Sequence, residues 1–246
     1  MRRYWIACAA LCTLCTPAVS ETLRLLTVEY PPYFGESLEN GGFVTDVVQE
    51  TLIRAGYEVE IQFLPWRRAL AIVRAGEADG IVGAYFTEER SEYLNYTDLV
   101  ALNEEVFIRV QGDKFPYQSL TDLKDHVVGV LDGSAQHEDL VAQGFQTNTS
   151  TSFKQIFMKL GAERIDAMLI GRAVMNHMLV NNQELAPLRN AFETLEPAYS
   201  VGEFYTTISK KNPNADQIVA AFNAALAQMR ADGSFEAILA RHGQSS

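Results

Sequence analysis

"VGAYFTEER", residues 82–90, is an apolar run that opens into a turn and delivers a single arginine. Its first half belongs to "GIVGA" (80–84), a short buried strand. Upstream, "WRRALAIVRAG" (66–76) reads as a helix, with Pro65 suited to the first helical position and Gly76 to its end. "YEVEIQFL" (57–64) alternates and sets Val59, Ile61 and Phe63 on one face, the mark of a strand. Before it, Val44, Val47, Val48 and Leu52 recur at helical spacing until Gly56. "LRLLTV" (23–28) is a strand that runs into "EYPPYF", where paired prolines force an extended turn. Strand, helix, strand, helix, strand implies a parallel sheet with right-handed crossovers.

A second set follows "FIRVQGD" (107–113). Ser119 opens a short helical pattern, "VVGVL" (127–131) is a strand, "FKQIFMKLG" (153–161) a helix and "AMLI" (167–170) a strand. "EFYTTIS" (203–209) returns as a strand, and Ile218, Phe222, Leu226 and Met229 form an amphipathic stripe that ends at Gly233. The natural division is two α/β units of roughly a hundred residues each.

The start of the chain stands apart. "MRR" is basic, "YWIACAALCTLC" is apolar, and "PAVS" closes a small-x-small pattern before Glu21. Residues 1–20 therefore read as a secretory signal peptide, with an apolar core too short to span a bilayer. Cys8, Cys12 and Cys15 all lie in it, so the mature chain is expected to carry neither disulfides nor thiolate chemistry. Losing Arg2 and Arg3 moves the formal charge from −11 to −13, which argues against nucleic acid or anionic membranes as partners.

Several chemistries lack their signatures. His126, His137, His177 and His242 have no paired metal-ligand spacing, and no cofactor motif is present. There is no G-x-S-x-G elbow, and "GVLDGS" lacks the lysine of a phosphate loop. Glu88-Glu89 and Glu104-Glu105 read as solvated charges rather than acid/base couples.

Five stretches, in order along nearly the whole mature chain, resemble the extracellular solute-binding proteins of family 3, the periplasmic receptors of polar amino-acid ABC importers. "YPPYF" resembles that family's Y-x-P-F segment, and "GGFVTDVV" its G-F-D-x-D helix start with Val44 in place of the first aspartate. "RAGEADGIVGAYFTEER" is similar to its G-x-x-D strand entry followed by T-x-x-R. "VVGVLDGSAQ" matches V-G-V-x-x-G-S, and "RADGSFEAILARHG" resembles the closing A-D-G-[ST]-[FY] helix.

The resemblance implies a type II periplasmic-binding-protein fold: two α/β lobes, each a mostly parallel sheet flanked by helices, joined by two hinge strands with the ligand between them. Residues 21–110 and 203–246 would form the first lobe and 111–202 the second, with "FIRVQGD" and "GEFYTTIS" as hinges. Arg90, following Thr87, falls where the family clamps a ligand carboxylate, and a guanidinium fork suits that task. Tyr30 and Trp66 match aromatics that enclose the ligand's apolar body, and Ser134 sits at a strand-to-helix turn able to hold an anion. Tyr85 takes a place often filled by a carboxylate-binding serine. One departure concerns the family's amine-binding aspartate, whose place is taken by Gly171 with Arg172 beside it. The implied ligand keeps a carboxylate without the usual α-ammonium contact.

The function implied is a monomeric periplasmic receptor, not an enzyme, that delivers a small carboxylate-bearing solute to an ABC permease. Two alternatives share the fold. A cyclohexadienyl dehydratase would need a carboxyl acid in the second lobe, where Gly171 stands. An accessory or sensor binding protein would dispense with the aromatic pair or the clamp, yet Tyr30, Trp66 and Arg90 are all present.

Overall fold

Two long antiparallel strands run through the middle of the molecule and carry a parallel triplet on either side. The structure, a computed structural model, describes residues 21–244. The signal-peptide reading and the three cysteines lie outside these residues. The strands are β1 (Thr22–Thr27), β2 (Glu58–Phe63), β3 (Gly80–Ala84), β4 (Leu94–Val110), β5 (Val127–Leu131), β6 (Gln146–Ser150), β7 (Ala167–Gly171) and β8 (Phe192–Ser209). The helices are α1 (Phe43–Arg54), α2 (Trp66–Ala75), α3 (Glu88–Ser91), α4 (Ala135–Ala142), α5 (Phe153–Gly161), α6 (Arg172–Asn181), α7 (Ala215–Asp232) and α8 (Ser234–Arg241).

The strand order is β2-β1-β3-β8-β4-β7-β5-β6. β1 lies parallel to β2 and β3, and β5 lies parallel to β6 and β7. β8 joins β3 antiparallel, β4 joins β8 antiparallel, and β7 joins β4 antiparallel. The expected first parallel triplet is present, a second is completed by β6, and the sheet that unites them is an α/β sheet of mixed direction.

The periodic segments bury the faces their spacing dictates. Val44, Val47, Val48 and Leu52 on α1, and Ile218, Phe222, Leu226 and Met229 on α7, are all buried. α1 packs on α7 and α8, so the C-terminal helices return to the side of the sheet where the chain began. Asp46 on α1, itself buried, accepts from Arg241 at 3.0 Å and pairs with His242 at 2.8 Å, fixing that return.

Several elements differ from the sequence reading. The segments expected as hinges fall within β4 and β8, single strands of seventeen and eighteen residues. Polar residues such as Asn103, Glu104 and Glu105 had hidden the first of these. Pro65 caps α2 from outside instead of opening it, because its ψ of 131° is extended. β6, "QTNTS", is a polar edge strand with no apolar alternation to announce it.

Candidate functional site

A cavity enclosing about 60 Å³ lies at the carboxyl ends of β1, β3 and β5, bounded by β4, β7 and β8. This is where open α/β sheets place ligands, because crossovers leave a crevice there. Tyr30, Phe34, Trp66, Phe153 and Phe204 make its lining chiefly apolar and aromatic. Two charged side chains also line it, Arg90 and Glu105.

Arg90 is 2% exposed, which is rare for an arginine. Its position follows from a local device. Thr87 caps α3, its hydroxyl accepting from the Arg90 N–H at 3.1 Å, and so sets the turn at the end of "VGAYFTEER". The guanidinium donates from Nη1 to the Tyr85 carbonyl at 3.2 Å and from Nη2 to the Gly133 carbonyl at 3.0 Å. Both acceptors are neutral. Glu138, 41% exposed, is the carboxylate nearest to it, at 3.6 Å. Nε is buried and has no hydrogen-bond partner among the described residues. Trp66 lies 5.6 Å from the guanidinium carbon, and its indole N–H donates to the same Gly133 carbonyl at 3.0 Å.

Glu105, on β4, is also 2% exposed. It is not the solvated acid that its sequence neighbour suggested. Alternation along β4 separates the pair: Glu104 faces outward, while Asn103 and Glu105 share the buried face. The Glu105 carboxylate accepts from the Tyr85 hydroxyl at 3.2 Å, from the Ser200 hydroxyl at 3.1 Å and from the Gln136 amide. Burial pushes its carboxyl up to about 7, against the hydrogen bonds from Gln136, Ser200 and Tyr85 that pull it down. None of its partners is cationic. Strand alternation was the signal that could have found this residue.

The expected site residues divide into two groups. Tyr30, Trp66, Tyr85, Arg90 and Ser134 come together around the cavity. Tyr30 packs on Tyr33, Phe34, Phe153 and Phe204, and burial holds its hydroxyl well above the usual phenol range. The Ser134 hydroxyl caps α4, accepting from the His137 N–H at 3.1 Å. Thr87 and Gly171 stand behind the lining. Thr87 holds the Arg90 turn, and the Gly171 N–H donates to the Tyr30 hydroxyl at 2.9 Å. Arg172 turns away from the cavity and pairs with Glu104 and Glu196.

Residues 24–245 match the family described as bacterial extracellular solute-binding proteins, family 3. The chain belongs to this family. It resembles an arginine-binding extracellular protein of Bacillus subtilis (strain 168), with 25% identity over 216 residues that cover 85% of this chain and 81% of that protein. An ancestral arginine-binding protein bound to arginine superposes with a TM-score of 0.74 at 27% identity, covering 89% of this chain and 97% of the other. A histidine kinase sensor domain similar to periplasmic binding proteins shares the fold, with a TM-score of 0.79 at 18% identity over 90% of this chain and 96% of that one. As a family 3 protein the chain is a solute-binding protein with a small-molecule ligand.

Within this family 3 receptor, the space beside Gly171 is already taken. A Cβ there would lie 2.4 Å from Asn103 Oδ1 and 2.6 Å from the Tyr30 hydroxyl oxygen. Asn103 is itself buried and bridges the Tyr30 and Tyr85 hydroxyls, with its Nδ2 at 3.1 and 2.7 Å. No side chain fits at 171 unless that network moves. Gly171→Ala is expected to lower stability by about 1–3 kcal/mol through this overpacking. Urea unfolding checks it: an unchanged midpoint would mean that Tyr30 and Asn103 do not fill the space.

Proposed function

We propose that the protein captures a small carboxylate-bearing solute with Arg90 as the carboxylate clamp and passes it to an ABC permease. The observation that carries this reading is the Arg90 guanidinium itself. It is buried, it lines an apolar cavity, and its Nε has no acceptor. A guanidinium has five N–H donors. The carbonyls of Tyr85 and Gly133 satisfy part of that set, and the partly exposed Glu138 carboxylate, at 3.6 Å, offsets its charge only in part. A carboxylate reaching Nε would supply both the missing acceptor and the missing charge.

The other residues follow from that anchor. Tyr30 and Trp66 bound the apolar part of the solute. Tyr85 joins the clamp to the opposite wall through its main-chain carbonyl and its hydroxyl. Thr87 holds the arginine's turn, Ser134 ends the wall at the start of α4, and Gly171 lets the Tyr30 hydroxyl approach β7. The arginine-binding relatives take a solute with a carboxylate, in keeping with this reading. Residues 1–20 act as a cleaved leader that sends the chain to the periplasm.

Residues 21–110 with 203–246 form one lobe and residues 111–202 the other, hinged where β4 and β8 cross between them. Support comes from the contacts that converge on "LDGS". Trp66 and Arg90, from the first segment, both donate to the Gly133 carbonyl, and Arg67 pairs with Asp132 at 3.0 Å. A solute that adds contacts to both sides favours the closed arrangement by that differential affinity.

Arg90→Ala is expected to weaken binding by about 2–5 kcal/mol, and Arg90→Lys to rescue it poorly because an ammonium lacks the fork. Calorimetry with a ligand found by thermal-shift screening checks this, and unchanged affinity in Arg90→Ala would sink the clamp. Small-angle scattering tests the lobes: saturating ligand should reduce the radius of gyration, and an identical value with and without ligand would remove the hinge.

A further inference from the structure

The second charged group in the cavity has no task in the reading above. Glu105 is as buried as Arg90 and lines the same cavity, yet its hydrogen-bond partners are a tyrosine, a serine and a glutamine. Burying an ionised carboxylate without a cation is costly, and a structural acid at such depth ordinarily has one. Arg90 is not that cation, since its bonds go to the Tyr85 and Gly133 carbonyls and its ion pair to Glu138.

A second observation points the same way. Glu105 also lines a wider, more open groove next to the cavity, together with Asp139 and Glu203. Among the described residues, no lysine, arginine or histidine lines that groove. An acid-lined entrance with low-dielectric walls draws cations inward.

We propose that Glu105 is the cation-accepting group of the cavity, and that a cationic nitrogen of the solute replaces a proton on its carboxyl group. This rests on the Arg90 reading only for the other end of the solute. The proton leaves to solvent, and the carboxylate that remains receives the nitrogen's N–H donors. The solute class is then one that carries both a carboxylate and a cationic nitrogen, spaced to span the distance from Arg90 to Glu105.

The surroundings favour this exchange. Facing Glu105 are Tyr30 and Tyr33 from the segment after β1, Tyr85 after β3, Gln136 on α4, and Tyr199 and Ser200 on β8. Glu104 adjoins it on β4, and Asp139 accepts from Tyr199. Burial pushes the Tyr33 hydroxyl up to about 12 and those of Tyr30, Tyr85 and Tyr199 upward as well, so none of them titrates near neutrality. The carboxyl group of Glu105, held near 7 by burial, is the one that does. Below that value a protonated Glu105 must first lose its proton to accept a cation, so affinity for a cationic solute falls about tenfold per pH unit.

The test uses the full mature protein and matched probes: L-alanine, L-glutamine and L-arginine, each beside its des-amino acid (propionate, 4-carbamoylbutanoate, 5-guanidinopentanoate) and its decarboxylated amine (ethylamine, 4-aminobutanamide, agmatine). Thermal shifts are read from pH 5.5 to 8.5 on the wild type and on Glu105→Gln. At pH 8, at least one amino acid should bind tenfold or more tightly than its des-amino acid, and that advantage should shrink as the pH falls. In Glu105→Gln both the advantage and its pH slope should vanish. Equal binding of L-alanine or L-glutamine and its des-amino acid, which carries no cation, an advantage retained in Glu105→Gln, or no response of the wild type to any cationic probe would each overturn the proposal. Should the variant fail to fold, wild-type calorimetry decides: at pH 6.5, in buffers of different ionisation enthalpy, the best amino acid should release most of one proton, and no release overturns the assignment. An amine that binds as well as its amino acid would instead refute the Arg90 clamp and leave Glu105 standing.

Discussion

The antiparallel pairing of β4 with β8 is the constraint on which the rest of the molecule hangs. Without it, β2-β1-β3 and β7-β5-β6 would be two separate parallel triplets. The ladder runs from Leu94 opposite Ser209 to Val110 opposite Phe192, and its register shifts three times. Each shift bends the strands and re-aims side chains. One falls between Glu105, paired with Ser200, and Phe107, paired with Leu195. That break lies at the cavity wall. The strands that hold the two halves of the sheet together therefore also supply Glu105, Ser200 and Phe204 to the site, and a change in their relative angle reaches the solute directly.

The charges in the cavity obey the same economy of burial. A guanidinium is weakly hydrated for an ion, which makes Arg90 the less costly of the two to bury. Carbonyl dipoles from Tyr85 and Gly133 solvate part of it, and a ring face of Trp66 adds to them. Glu105 has hydroxyl and amide donors instead, and it can shed its charge by taking a proton. An arginine has no such escape. The positive end of the cavity is thus permanent, and the negative end depends on pH.

What could be read from the sequence was whatever a period or a turn residue announces. α1 and α7 carry apolar stripes, "GIVGA" and "VVGVL" are compact buried strands, and Gly76 and Gly233 end their helices in the left-handed conformation. Arg90 was singled out through its T-x-x-R resemblance, and its turn is set locally, by Thr87 capping a single helical turn. Glu105 was not. Its burial depends on Gln136, thirty-one residues away, and Ser200, ninety-five residues away. β6 was illegible for a different reason, since an edge strand needs no apolar face when β5 supplies its only ladder.

The positions of Gly171 and Glu105 are linked by geometry. They are direct partners in the β4–β7 ladder, so a side chain at 171 would leave the sheet on the same face as Glu105, with Cβ atoms about 5 Å apart. Two carboxylates so placed would repel each other, and burial would amplify the repulsion because the local dielectric is low. A glycine at one position therefore removes a conflict that an acid there would create with the other. It also admits the Tyr30 hydroxyl and the Asn103 amide into the space left over, and through Asn103 that network reaches the Tyr85 hydroxyl, which donates to Glu105. The bare position on β7 and the acid on β4 are two consequences of one packing arrangement. A carboxylate at 171 would have to displace both Tyr30 and Asn103, and it would raise the cost of ionising Glu105 beside it.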